Sequence, residues 1–220
     1  MRSAGLLLWL AGIATAGDAL DARTHIALVL DIRAEVSAVA RDALTVEFAR
    51  IYSLAQVRLS WHRPGQQVSS NRVVVVRIWP SSPQAPPKAL AFTHLSEGEI
   101  LSFVELDPQR IRHILELARR NLDPDDREEL LGRSLGRAVA HEAYHVLANT
   151  TSHGKSGITK RFFCVEDFLN DRLDLEEEAI ERIESHLGFS VGGEAFRAEE
   201  GESPHRVRRI KSAIAPVRAR

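Results

Sequence analysis

The chain has 220 residues, which is long enough for one domain with a substantial hydrophobic core. Its net charge of −1 excludes a protein that works through a strong overall charge, and we expect no nucleic-acid partner. Its single cysteine excludes an internal disulfide, so packing must stabilise the fold.

The first 16 residues have the pattern of a secretory signal peptide. Arg2 precedes a short apolar run at 5–14, and Ala14 and Ala16 are the small residues that a signal peptidase requires. The alternative is a membrane anchor, but the run is well short of the ~20 apolar residues that span a bilayer. We therefore predict cleavage after Ala16 and a mature protein that is secreted or periplasmic and does not contact the membrane.

The first half of the mature chain is predicted to be rich in β-strands. Short apolar or alternating runs predict strands at 25–32, 57–61, 73–79, 89–93 and 100–106. Between the first two strands, apolar residues at spacings of three and four predict an amphipathic helix over 34–54. The strand at 89–93 could be an open sheet edge that pairs with an extended peptide.

The second half is predicted to be helical, with helices at 108–121, 123–148 and 165–187. Asp123 can cap the middle helix, Pro124 suits its first turn, and Asn149 can close it. We predict one domain over 17–187, followed by a disordered basic tail over 188–220.

The middle helix contains the motif H-E-x-x-H, formed by residues 141–145. Histidines four apart lie on one helix face, so the imidazoles of His141 and His145 can reach one metal ion. Glu142 lies about 100° further around the helix, where its carboxylate can flank the ion and move a proton of a metal-activated water. Tyr144 is predicted to point away from the metal face and to pack in the core.

A catalytic zinc needs a third protein ligand, and the nearest candidate is His153. The chain leaves the helix at Asn149, and Gly154 and Gly157 permit the sharp bends that would bring His153 under the ion. Glu166 and Asp167 are competing ligands from the next helix. His94 is predicted to be an exposed histidine at a strand end.

The stretch 136–160 resembles the metzincin-type zincins. This resemblance implies an α+β, zincin-like fold, in which a small mixed sheet packs on an N-terminal helix and the motif helix, before a smaller helical C-terminal part. It also implies one zinc ion (Zn²⁺) per chain held by His141, His145 and His153, with Glu142 as general base. The pattern departs from the family at Ala148 and Thr151, which replace the usual glycine and third histidine, and at Ile158-Thr159, which replaces the methionine of the turn beneath the metal.

We therefore predict a secreted zinc-dependent peptidase that acts on a peptide or protein substrate. The alternative from another class is a non-catalytic exported binding protein with the same fold. A third possibility is a hydrolase of non-peptide amides that uses the same metal centre. Glu142 separates the first from the second, because a purely structural zinc site has no need of that carboxylate.

Overall fold

The computed structural model describes residues 24–70, 72–80, 84–87 and 89–188. The predicted signal peptide over 1–16, and the predicted tail from 189 onward, lie outside the described residues. Within the described part of the chain, no helix is both long enough and apolar enough to cross a membrane.

Five strands form one mixed sheet, and all five were predicted from the sequence. They are β1 (Thr24–Ile32), β2 (Val57–His62), β3 (Arg72–Ile78), β4 (Ala91–Ser96) and β5 (Glu99–Leu106). The sheet order is β2-β1-β3-β5-β4, and every neighbouring pair is parallel except the antiparallel pair of β4 and β5. Strand β4 is therefore at an edge of this sheet, as predicted.

Strands β4 and β5 are joined by a two-residue hairpin turn that the sequence analysis did not identify. Glu97 and Gly98 both have positive φ angles, of 52° and 91°. This is the backbone conformation of the tight turns that match the twist of antiparallel strands. The turn lengthens β4 to Ser96, beyond the predicted end at residue 93.

Helix α1 (Ala38–Ile51) connects the parallel strands β1 and β2. Ser37 caps this helix directly before its first residue, because the Ser37 hydroxyl accepts a hydrogen bond from the Ala40 N–H. The predicted helix over 34–54 is thus too long at its start, and its last three residues form a 3₁₀ turn.

Helices α2 (Pro108–Leu115) and α3 (Pro124–Leu147) follow the sheet. The Asp123 carboxylate accepts from the Asp126 N–H at 2.9 Å, and Asn149 has a φ of 43° just after the helix, so both predicted ends of α3 are confirmed. Helix α2 is shorter than the predicted 108–121. Helix α3 contacts β3, β4, β5 and α1, so its motif lies in the interior.

Two glycines let α1 and α3 approach closely. A Cβ atom on Gly132 would lie 2.3 Å from the carbonyl oxygen of Ala40, and one on Gly136 would lie 2.8 Å from that of Leu44. Any larger residue at either position would therefore push the helices apart. This close contact orients the motif half of α3 relative to the rest of the core.

The predicted single helix over 165–187 is wrong. The chain forms two helices, α4 (Val165–Leu169) and α5 (Glu177–Leu187), separated by an extended segment. Carbonyl groups of this segment accept hydrogen bonds from distant donors: Leu173 from Arg50, and Asp174 from the N–H of Ile158, both at 2.9 Å. A continuous helix would use these carbonyls internally, so the tertiary bonds compete with it.

One hydrophobic core joins both halves of the chain. Its buried members include Leu28 of β1, Phe48 of α1, Val104 of β5, Leu135 of α3 and Ile183 of α5. The predicted combination of a mixed sheet with helices is confirmed.

Candidate metal centre

The two motif histidines are buried on one face of α3 and have the same ring tautomer. Nδ1 of His141 lies 2.8 Å from the carbonyl oxygen of Ile158, and Nδ1 of His145 lies 2.7 Å from that of Thr150. A carbonyl oxygen can only accept, so each Nδ1 carries the proton and donates it. Each Nε2 is therefore left with a free lone pair.

These two Nε2 atoms point at a common position. They lie 3.2 Å apart. Because neither carries a proton, they cannot hydrogen-bond to each other, and their contact is unfavourable unless a cation lies beside both. Two nitrogen ligands of a tetrahedral zinc, each at about 2.0–2.1 Å from the ion, lie about 3.3–3.4 Å apart. The spacing thus fits a zinc ion.

His153 completes this group. One ring nitrogen from each of the three histidines lies within 4.8 Å of the others, and no other group of three potential ligands occurs in the described part of the chain. Both ring nitrogens of His153 are buried without a hydrogen-bond partner among the described residues. An unsatisfied buried polar atom costs about 1–3 kcal/mol, which a bound metal would remove.

The loop after α3 brings His153 back by the bends that the sequence predicts. The N–H of Gly154 donates to the carbonyl of Thr159 at 3.0 Å, and a Cβ on Gly154 would lie 2.2 Å from the Thr159 hydroxyl. Gly157 has a φ of 55°, and a Cβ there would lie 2.5 Å from the carbonyl oxygen of Asp174. Neither position can accept a larger residue without rearrangement.

Ile158 and Thr159, where the resemblance to the metzincins leads one to expect a methionine turn, lie next to His141. Ile158 is fully buried, and its carbonyl oxygen accepts the hydrogen bond from His141. This backbone contact does not depend on the side chain at position 158, so it orients His141 without a methionine there.

The competing carboxylates do not belong to the metal-binding group. Asp167 accepts hydrogen bonds from the N–H of Cys164 at 2.6 Å and from the ammonium of Lys160. Glu166 is exposed on α4. Among the described residues, neither Glu166 nor Asp167 lies with the three histidines, which leaves His153 as the candidate third ligand.

Burial keeps the three imidazoles neutral near pH 7. It lowers the pKa of His141 well below its ordinary value, that of His145 to about 4, and that of His153 as well. Neutral imidazole is the form that binds a metal. A metal therefore does not have to displace a proton from these ligands at neutral pH.

Glu142 is fully buried and contacts the edge strand. Its Oε2 accepts a hydrogen bond from the hydroxyl of Thr93 at 2.7 Å, whereas its Oε1 is buried without a partner among the described residues. Burial raises the pKa of Glu142 to about 8, against the opposing effect of the Thr93 hydrogen bond. A cation bound nearby would lower this pKa.

Sequence reasoning placed Thr93 in a strand but assigned it no role. The contact joins residues 49 positions apart, and no local pattern connects them. The available signal was strand alternation, which puts residues 93 and 94 on opposite faces of the sheet.

Two minor predictions have opposite outcomes. Tyr144 packs in the core as predicted. The prediction for His94 is wrong, because this residue lies within β4 with a side chain only 16% exposed. Its ring contacts those of Phe92 and Phe103 at a tilt, and its Nε2 lies 3.3 Å from Oε2 of Glu105, on the face opposite to Thr93.

A cavity of about 350 Å³ adjoins the centre at His153. Its other polar lining residues include Thr159, Glu176 and Arg182. It provides space beside the third histidine, on the side of the helix that carries Tyr144.

No known protein-family model matches this chain, and no curated protein matches it in sequence. Among solved structures, the chain is similar to archaemetzincin from Methanopyrus kandleri, with 9% sequence identity and a TM-score of 0.46. The match covers 75% of this chain and 96% of that one.

Proposed function

We propose that this protein is a zinc-dependent peptidase whose ion is held by His141, His145 and His153. The observation that carries the proposal is the convergence of three imidazoles, of which the two from the motif helix are buried and have unprotonated Nε2 atoms 3.2 Å apart. Three neutral nitrogen ligands are typical of catalytic zinc, which keeps a fourth position open for water or substrate.

A structural zinc site would fill the fourth position with another protein ligand. The described residues offer only the three histidines as a metal-binding group. The donor set thus favours catalysis over a structural role. When bound, zinc supplies a Lewis acid that polarises the scissile carbonyl and makes water a better nucleophile.

Glu142 is the general base in this proposal. Its Oε1 accepts a proton as water adds to the carbonyl carbon, and later delivers that proton to the leaving amine nitrogen as the C–N bond breaks. The net reaction consumes one water and leaves Glu142 unchanged. The buried position of Oε1, with no competing donor among the described residues, supports this role.

The edge strand β4 suits an extended peptide substrate. Strand β4 pairs with β5 on one side and forms the end of the described sheet on the other. An extended peptide can add to such an edge through backbone hydrogen bonds. Because Thr93 of β4 contacts Glu142, a peptide on this strand would run close to the base.

We also propose that the protein acts after export, with residues 1–16 removed. The small residues that follow the short apolar run support this proposal. N-terminal sequencing of exported protein should find a start at Gly17. An intact N-terminus on membrane-bound material would contradict it.

The test of the proposed activity combines metal analysis with hydrolysis. The purified protein is loaded with zinc, dialysed and measured by mass spectrometry, beside His141→Ala, His145→Ala and His153→Ala. The matched control is His113→Ala, because His113 is 86% exposed on α2. We expect about one zinc per chain in the wild type and the control, as for a mononuclear site, and a loss of zinc in the other three variants.

The zinc-loaded protein is then assayed against a broad peptide library. Cleavage that disappears with the metal supports the peptidase. A wild type that stays metal-free after loading contradicts the whole proposal. Tight zinc binding without cleavage of any peptide would instead favour the non-catalytic binding protein.

A further inference from the structure

We propose that Thr93 is a positioning residue for Glu142, whose hydroxyl holds one carboxylate oxygen so that the other faces the reacting water. The inference rests on the proposed peptidase function and adds a residue to its machinery. It concerns an interaction between the edge strand and the motif helix.

The contact is specific to Glu142 and shielded from solvent. The Thr93 hydroxyl lies 2.7 Å from Oε2 of Glu142 and 3.1 Å from the backbone carbonyl oxygen of the same residue. Thr93 is 7% exposed and Glu142 is fully buried. The hydrogen bond that a hydroxyl donates to a carboxylate is stronger inside a protein than in water.

This bond distinguishes the two carboxylate oxygens. Oε2 is occupied by the hydroxyl, whereas Oε1 is buried and has no partner among the described residues. Fixing Oε2 limits rotation of the carboxylate and thereby sets the direction of Oε1. A base that is already oriented does not have to lose rotamer freedom during the reaction.

The strand changes its pairing at this position. Thr93 pairs with Val104, but the register between β4 and β5 shifts between Thr93 and Leu95. Such irregularities re-aim side chains and are common next to active sites. Thr93 thus belongs both to the strand that a peptide would join and to the contact that orients the base.

The test compares Thr93→Val, which removes the hydroxyl but keeps the branched shape, with Thr93→Ser, which keeps the hydroxyl. Thr45→Val is the matched control, because the Thr45 hydroxyl donates only to the carbonyl of Asp42 on the surface of α1. We expect Thr93→Val to retain zinc and KM while kcat falls by about 10- to 100-fold, the range associated with a misplaced catalytic group. Thr93→Ser should restore most of kcat.

A double-variant comparison checks that Thr93 acts through Glu142. In the Glu142→Gln background, replacing Thr93 by Val should lower kcat much less than it does in the wild type. Equal losses in both backgrounds would overturn the proposal. Thr93→Ala provides a second hydroxyl-free variant if the valine variant does not fold.

A binding measurement tests the same contact without catalysis. Acetohydroxamate is a small zinc chelator whose N–OH group can donate to a well-placed acceptor, and calorimetry gives its affinity for the zinc-loaded protein. Affinity should fall in Thr93→Val, recover in Thr93→Ser and be unchanged in Thr45→Val. That pattern supports the positioning role even if the wild type cleaves no peptide, so failure of the peptidase proposal is distinguishable. If Thr93→Val binds acetohydroxamate as tightly as the wild type does and has the same kcat, the positioning role of Thr93 is overturned.

Discussion

Two clusters of buried polar side chains lie one turn apart on α3, and they differ in whether their hydrogen bonds are satisfied. In the first, each guanidinium nitrogen of Arg137 has a partner: Nε donates to Glu47 at 2.6 Å, and the two Nη atoms donate to the carbonyls of Asp167 and Asp171. In the second, His153 has no partner for either ring nitrogen among the described residues.

The difference separates a structural cluster from a functional one. Arg137, His141 and His145 follow one another at spacings of four, so helix geometry places all three on the same face. The Arg137 cluster ties α3 to α1, to α4 and to the segment after α4, and it needs no ligand. The histidine cluster retains free lone pairs at a cost in stability, which is typical of a site that binds something.

The largest expected effect is on catalysis. Glu142→Gln should keep the zinc and the fold but lower kcat by ~10²–10⁴-fold, because glutamine cannot accept a proton from water. The measurement is peptide hydrolysis by the zinc-loaded variant, with the exposed Glu181→Gln of α5 as control. Equal activity of wild type and Glu142→Gln would show that Glu142 is not the base.

The next largest effect is expected on the stability of the fold, when the Arg137 cluster is changed. Arg137→Met should lower the free energy of unfolding by about 3–5 kcal/mol, because it leaves buried Glu47 without one of its two cationic partners. Denaturant unfolding measures this loss, with the exposed Arg120→Met as control. The folded variant should still bind zinc. A variant that is fully stable but metal-free would mean that the two clusters are not separable.

A smaller effect on the free energy of unfolding is expected when zinc binds to the histidine cluster. At 100–1,000 times its dissociation constant, zinc should stabilise the wild type by about 2.7–4.1 kcal/mol. His153→Ala should lose most of this gain, whereas Glu166→Ala should keep it. Thermal unfolding with and without zinc measures both. The reverse result would assign the third ligand to Glu166.

The smallest expected effect is the pH dependence of the stability that the Arg137 cluster contributes through Glu47. Burial alone would raise the pKa of Glu47, but hydrogen bonds from Arg50 and Arg137 outweigh it and hold the pKa below its ordinary value. The ionised Glu47 therefore stabilises the fold above the unfolded-state pKa, and this contribution is lost as pH falls through the lower folded-state pKa.

Glu47→Gln removes that ionisation. The stability advantage of the wild type over Glu47→Gln, measured by denaturant unfolding, should be constant near neutral pH. It should shrink as the pH falls below the ordinary pKa of a glutamate, about 4.3. An advantage that does not change with pH would show that folding does not lower the pKa of Glu47.

Features that depend only on neighbouring residues could be predicted from the sequence. Asp123 and Pro124 start α3, and a spacing of four places His141 and His145 on one face, because helix geometry is set within one or two turns. Apolar runs predicted the positions of all five strands, because the strand pattern is also set by neighbouring residues. Residues 145–157 carry enough turn chemistry to make His153 a candidate, although they do not exclude Glu166 or Asp167.

Contacts between distant parts of the chain could not be predicted from local patterns and are seen only in the folded structure. The Thr93 bond to Glu142, the burial of Arg137 against Glu47, and the grouping of His153 with the motif histidines all depend on how the elements pack. The interruption of the predicted last helix also depends on packing. There the Leu173 carbonyl accepts a hydrogen bond from Arg50 instead of a hydrogen bond within a helix. Local propensities differ by less than about 1 kcal/mol per residue, so such long-range bonds and burial override them.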